Sequence, residues 1–166
     1  MPASDLLIKI SIDEQRLQLL EGDRIVMDVA IATAANGPGE LMHSECTPRG
    51  RHRVRARIGD GCPENTVFVG RRPTGEIYSA ALKTAHPGRD WMLTRILWLC
   101  GEEPGHNRLG RVDSMRRYIY IHGCPEEDPM GIPSSHGCVK MRNSEVIALF
   151  DRVPAGTPVL IQEAPL

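Results

Sequence analysis

The sequence predicts a mainly β protein with one reliable helix, arranged as a sandwich or a partly closed barrel. Three observations carry this. Apolar and polar residues alternate with a period of two along several short segments, the mark of half-buried strands. Clusters of Gly, Pro, Asp and Glu separate those segments as turns. A helical stripe occurs near the C-terminal end, where Val146, Ile147, Phe150 and Val153 fall on one face. At 166 residues the chain suits a single domain over 1–166 with a substantial core.

The elements follow in order. Leu6, Ile8, Ile10 and Ile12 alternate with Leu7, Lys9, Ser11 and Asp13, giving a first strand. Asp13-Glu14-Gln15 turns the chain into a second strand over 16–20. Glu21-Gly22-Asp23 turns it into a third over 24–32, so the chain opens as an antiparallel meander. Residues 33–47 read as a Gly/Pro/Ala-rich loop. After Thr47-Pro48-Arg49-Gly50, His52, Val54, Ala56 and Ile58 face one way and Arg51, Arg53, Arg55 and Arg57 the other. The arginine row reads as a solvated strand face in preference to an anion-binding stripe. Short strands are expected over 67–69 and 77–82. The apolar run 91–100, open to a strand or a helix, is taken as a strand. Residues 101–111 form a polar loop. Asn143 is expected to cap the helix, Pro154-Ala155-Gly156 to end it, and residues 158–162 to form a last strand. No repeat or low-complexity tract interrupts the chain.

Composition narrows the function classes. The net charge of -1 gives no global field favouring nucleic acid or an acidic membrane, and 4% aromatic residues argue against a base-stacking surface. No apolar run is long enough to span a bilayer. The start, MPASDLLIKISIDEQRL, lacks the basic region, apolar stretch and small-residue cleavage site of an export signal. The expectation is therefore a cytoplasmic protein, or a periplasmic one if this is a trimmed form. Five cysteines, an odd number without framework spacing, fit a reducing compartment.

Chemistry concentrates in residues 118–150. This stretch holds two His-Gly-Cys tripeptides, His122-Gly123-Cys124 and His136-Gly137-Cys138, the first following the strand-like Tyr118-Ile119-Tyr120-Ile121. Glycine beside a reactive side chain lets substrate and backbone N–H groups approach closely. A thiol of ordinary pKa is mostly protonated at neutral pH and needs a base to attack carbon. We read Cys138 as the nucleophile and His122 as its proton acceptor and donor, brought together by the loop between Cys124 and Ser134. His136, two residues before the thiol, is the alternative base. N–H groups near Gly137 and Cys138 would stabilise an oxyanion. The four residues His122, Cys124, His136 and Cys138 also compose a two-His, two-Cys zinc set. Their His-x-Cys spacing departs from zinc knuckles, and metal would occupy the nucleophile, so no metal or other cofactor is expected. A zinc-stabilised binding module is the reading of another class.

Residues 135–141, Ser-His-Gly-Cys-Val-Lys-Met, with His122 upstream, resemble the signature of the YkuD-type L,D-transpeptidase family. The family usually has Arg where Lys140 stands. The resemblance extends to residues 6–32, to Thr47-Pro48-Arg49-Gly50 and to Gly156-Thr157-Pro158-Val159, and is weak over 59–117. It implies a YkuD-like β fold and acyl transfer on peptidoglycan stem peptides through a thioester on Cys138. It further implies that the Gly123 carbonyl orients His122, that His136 supports the turn, and that carbapenems acylate the thiol. Ser135, Lys140 and Arg142 are the candidate substrate contacts, with Lys140 or Arg142 on the peptide carboxylate. Within this family the expected activity is L,D-carboxypeptidase trimming of tetrapeptide muropeptides in cytoplasmic wall recycling. The alternative is a periplasmic transpeptidase that forms crosslinks or attaches proteins to the wall.

Overall fold

The computed structural model describes residues 5–166; the part of the export-signal reading that concerns residues 1–4 lies outside them. The chain opens with β1 (Leu6–Ser11), β2 (Arg16–Glu21) and β3 (Arg24–Ala30), the expected meander. Ile8 lies opposite Leu19 and Ile10 opposite Leu17, so the alternating apolar residues of both strands share one buried face. The third strand stops at Ala30, two residues short of expectation. Ala32 leaves β2 and instead exchanges both backbone hydrogen bonds with Lys140, at 3.0 and 2.8 Å.

β4 (Gly50–Ile58) shows the expected alternation: His52 and Val54 are buried, and Arg51, Arg53, Arg55 and Arg57 are exposed. Exposure does not make every arginine free. Arg57 lies over the Phe150 ring, 4.0 Å from its centroid, and donates to the Phe150 carbonyl at 2.7 Å. β5 (Thr66–Val69) falls where predicted. The strand expected over 77–82 does not form. β6 spans Arg72–Ile77, and a short helix, α1 (Ala80–Ala85), follows. The Ser79 hydroxyl accepts from the Leu82 N–H at 3.1 Å, which caps that helix and ends the strand.

The apolar run is a strand, β7 (Met92–Gly101), and it is the hub of the sheet. Leu97 and Trp98 each pair with β4 on one side and with β8 (Tyr120–Gly123) on the other, while β5 continues along the β4 edge at Leu93. Most of its residues are buried between neighbouring strands, which explains the hydrophobicity of the run on either side of Thr94 and Arg95. β9 (Val139–Met141) pairs parallel to β8. β10 (Pro158–Gln162) lies between β1, to which it is parallel, and β4. The resulting sheet, ordered β3-β2-β1-β10-β4-β7-β5-β6 with β8 and β9 branching from β7, is a curled half-barrel.

α2 (Asn143–Arg152) seals one side of the barrel with Val146, Leu149 and Phe150, all fully buried. Burying Phe150 alone is worth about 1.5–3 kcal/mol. Leu149 takes the core position expected of Ile147, which is only partly covered. Asn143 does not cap this helix. It is the first helical residue, fully buried, and its carboxamide is drawn inward. Its Oδ1 accepts from Thr94 Oγ1 at 2.6 Å and its Nδ2 donates to the Cys124 carbonyl at 2.8 Å. A buried amide must satisfy its donors and acceptor, and here strand and loop groups supply them. Trp91 packs in a satellite cluster with Val67 and Leu93, whereas Trp98 is half-buried.

Candidate active site

The pairing of β8 with β9 builds the site. Ile121 lies opposite Val139 and His122 opposite Lys140, and Ile121, Val139 and Met141 point into the core. Strand alternation then puts Tyr120, His122, Cys138 and Lys140 on the other face. There His122, Cys138 and Lys140 line one cavity of about 160 Å³, together with Asp90, Arg117, Ser135 and His136. The two distant His-Gly-Cys tripeptides therefore contribute His122, His136 and Cys138 to a common space.

His122 is buried, and its Nδ1 lies 2.6 Å from the Gly123 carbonyl. A carbonyl only accepts, so Nδ1 carries the proton and Nε2 is the free lone pair of the neutral ring. Burial pulls the imidazole below its ordinary pKa, and the Gly123 carbonyl and the Asp90 carboxylate partly oppose this. Gly123 allows the arrangement sterically, since a Cβ there would sit 2.3 Å from Asn143 Oδ1 and 2.7 Å from the Leu93 carbonyl.

The Cys138 thiol is suspended between two backbone groups. The Tyr120 N–H donates to its sulfur, and the sulfur donates to the Tyr118 carbonyl, both at 3.4 Å. Burial pushes the thiol up to about 12, although the residue as a whole keeps some solvent contact and the Tyr120 N–H pulls the other way. The sulfur, rather than the residue average, governs that shift, because its immediate surroundings are protein. Both shifts favour the neutral forms of a thiol and an imidazole that line the same cavity.

A web of short contacts shapes the turn before Cys138. Ser135 Oγ donates to the Cys138 carbonyl at 2.5 Å and accepts from the Gly137 N–H at 3.2 Å. Gly137 has φ +132°, a region that disfavours any side chain, and a Cβ would meet the Cys46 carbonyl at 3.3 Å. Its own carbonyl accepts from Thr47 Oγ1 at 2.9 Å. That hydroxyl also accepts from the Ala34 N–H at 3.0 Å. Residues 33–47, read as a loop, clasp the site stretch: Thr33 O accepts from the N–H of Ser135, and Ser135 O from that of Ala35, both at 2.9 Å.

The remaining predicted residues divide. Lys140 reaches the cavity, but its ammonium pairs with Asp128 at 2.9 Å. Arg142 donates to the carbonyls of Glu126 and Asp128, at 2.6 and 2.9 Å, and does not line the cavity. It holds the loop that carries the partner of Lys140. His136 is two-thirds exposed at the rim, with Nδ1 3.6 Å from Asp90 Oδ2. Cys124 is turned away, with its sulfur on the Met141 carbonyl at 3.4 Å and its thiol pushed up to about 12 by burial. Among the described residues no group of His, Cys, Asp or Glu could hold a metal ion, so the proposed zinc set does not assemble.

Sequence reasoning missed three contributors. Thr47 lay inside the quoted Thr-Pro-Arg-Gly turn, where its hydroxyl was a signal left unused. Arg117 lines the cavity and anchors residues 39–46 by donating to the carbonyls of Cys46 at 2.7 Å and Gly39 at 3.3 Å. Asp90 approaches from the stretch before β7, and no local pattern marked it.

A curled sheet whose branch strands carry a carbonyl-oriented imidazole and a buried thiol defines a cysteine-type candidate site. The sequence model of the YkuD family, described as an L,D-transpeptidase catalytic domain, matches residues 5–161, and the chain belongs to this family. The chain is 46% identical over 47 residues to the putative L,D-transpeptidase YqjB of Bacillus subtilis, which covers 28% of this chain and 27% of that protein. It is 40% identical over 50 residues to the probable L,D-transpeptidase YbiS of Escherichia coli, covering 30% and 16%. Among solved structures, L,D-transpeptidase 3 from Mycobacterium tuberculosis with a faropenem-derived adduct superposes with a TM-score of 0.60 at 14% identity. That match covers 97% of this chain and 61% of the other. The chain thus spans less than two thirds of the length of these relatives, and the structural likeness speaks for the fold.

Proposed function

We propose that this chain transfers the acyl group of a peptidoglycan stem peptide through a thioester on Cys138, with His122 as the proton carrier. The observation that carries this reading is the shared cavity of His122 and Cys138, with His122 Nδ1 tied to the Gly123 carbonyl. In the proposed step Cys138 Sγ bonds to the carbonyl carbon before the terminal D-alanine, and its proton passes to His122 Nε2. The C–N bond then breaks, and the same proton leaves with the D-alanine amine. Burial raises the thiol, so attack requires a base to take its proton. The Gly137 N–H is engaged by Ser135 in the resting site, so the Cys138 N–H is the proposed oxyanion donor.

Water is the proposed acceptor, which makes the activity L,D-carboxypeptidase trimming of tetrapeptide stems, on soluble muropeptides in the cytoplasm. The cavity at the thiol is small, about 160 Å³, which supports a small acceptor such as water. A specific observation favours transpeptidation as a second reading. Two further cavities, of about 280 and 290 Å³, meet the first at His136 and leave room for an amine acceptor. Incubating the protein with a disaccharide tetrapeptide and following mass decides between them: tripeptide plus D-alanine supports hydrolysis, and crosslinked dimer without tripeptide overturns it. Cell fractionation of the natively produced protein tests the compartment. A carbapenem adduct on Cys138, read by intact mass and lost in Cys138→Ala, is the expected inhibitor signature.

A further inference from the structure

A second and larger cavity, about 690 Å³, lies beside the first on the outer face of β4 and β7. Arg53, Arg55, Arg71, Arg108 and Arg116 all line it, in a chain whose net charge is -1. Among the described residues none of these five guanidinium groups forms an ion pair with a carboxylate. The carboxylate in the lining belongs to Asp113, and it is already spent. Its two oxygens accept from the backbone N–H groups of Leu109 and Arg116, at 2.7 and 2.9 Å. Glu102 acts on Arg53 only at longer range.

Part of the cavity is rigidly preset. Arg71 donates to Tyr120 Oη at 2.9 Å and lies over the rings of Trp98 and Tyr118, 4.5 and 5.1 Å from their centroids. Arg53 donates to Cys100 Sγ at 3.2 Å. Like charges gathered around one concavity repel one another, and a bound polyanion relieves that repulsion. Guanidinium forks match the paired oxygens of phosphate groups, and several forks at different angles suit adjacent tetrahedral groups better than one planar carboxylate. The indole and phenol rings add an apolar wall for an organic part.

We propose that this cavity binds a diphosphate-bearing ligand, the chemistry shared by inorganic pyrophosphate, nucleoside diphosphates and their sugar conjugates. Tyr118 walls both this cavity and the one holding Cys138, so the two share a wall. This goes beyond the stem-peptide reading, which assigns no role to the arginine row.

The test is calorimetric titration of the Cys138→Ala protein with uridine diphosphate, pyrophosphate and citrate at low salt. Both diphosphates are expected to bind, citrate about tenfold more weakly or less, and affinity is expected to fall as salt rises. Tighter binding of uridine diphosphate than of pyrophosphate assigns the organic half to the aromatic wall; equal binding assigns the site to the diphosphate alone. The double variant Arg55→Glu/Arg108→Glu is expected to weaken binding by at least about tenfold. Both side chains are exposed, with no side-chain hydrogen bond among the described residues, and an unchanged Tm confirms folding. Absence of heat with both diphosphates, equal affinity for citrate, or undiminished affinity in the folded double variant overturns the proposal. No turnover is read, so its failure is distinct from a failure of the Cys138 chemistry.

Discussion

The two cavities on the outer face use ionisable groups in opposite ways. Around Cys138, burial suppresses charge: the thiol is pushed up, the imidazole is pulled down, and the Lys140 ammonium is matched by Asp128. Around Arg53 and Arg55 the guanidinium groups are exposed, and among the described residues no carboxylate forms an ion pair with them. Neighbouring strands build both, so the difference comes from depth rather than from fold. Burial of the thiol and imidazole lets a proton move between two groups that are otherwise neutral; exposed guanidinium groups hold a fixed field. The first arrangement suits bond making and the second suits recognition.

The sharpest way to break this contrast is to remove the sulfur. Cys138→Ala is expected to cut tetrapeptide trimming by at least about ten-thousand-fold, with diphosphate binding retained. His122→Ala is expected to cost about a hundred- to ten-thousand-fold in kcat. In the wild type the acid limb of kcat/KM is expected below pH 6.5, because the folded imidazole is harder to protonate than a free one. A midpoint above 6.5 would contradict a buried neutral base.

A third test compares the two faces of β4. His52, fully buried next to exposed Arg53, is pushed down to about 4 from 6.5, chiefly by burial. Between those values the unfolded chain binds the proton more readily. Stability from His52 is therefore full above pH 6.5 and is lost as pH falls toward 4, by about 3 kcal/mol. Denaturation curves of His52→Gln are expected to be flatter over that window by up to this amount. The smallest effect is expected at Thr47→Val, which strands the Gly137 carbonyl and the Ala34 N–H. It should cost about 1–3 kcal/mol of stability and lower kcat more than it raises KM.

How much of this was legible follows the range of the interactions. The alternation at 51–58 depends on one strand and its pleat, and the side chains fell where the pattern placed them. Ser135, His136, Cys138 and Lys140 were singled out because 135–141 carries many constraints in one short run, whereas Asp90 and Arg117, outside it, were missed. Asn143 was misread because its position fits an N-cap locally, while Thr94 and the Cys124 carbonyl, distant in sequence, claim its side chain. Arg53 and Arg55 are exposed as the pattern predicted, but the cavity they share with Arg108 and Arg116 was not legible, because those residues lie far along the chain. The strand expected over 77–82 lost to Ser79, a local signal that was simply overlooked.

The placement of β10 carries a consequence for biosynthesis. This strand is synthesised after β1 to β9, yet it bridges β1 and β4 near the middle of the sheet. Until it emerges, the opening meander and the β7 hub are two halves with raw inner edges. The nascent chain must hold both apart from neighbours before they can be zipped together, a wait that exposes it to mispairing.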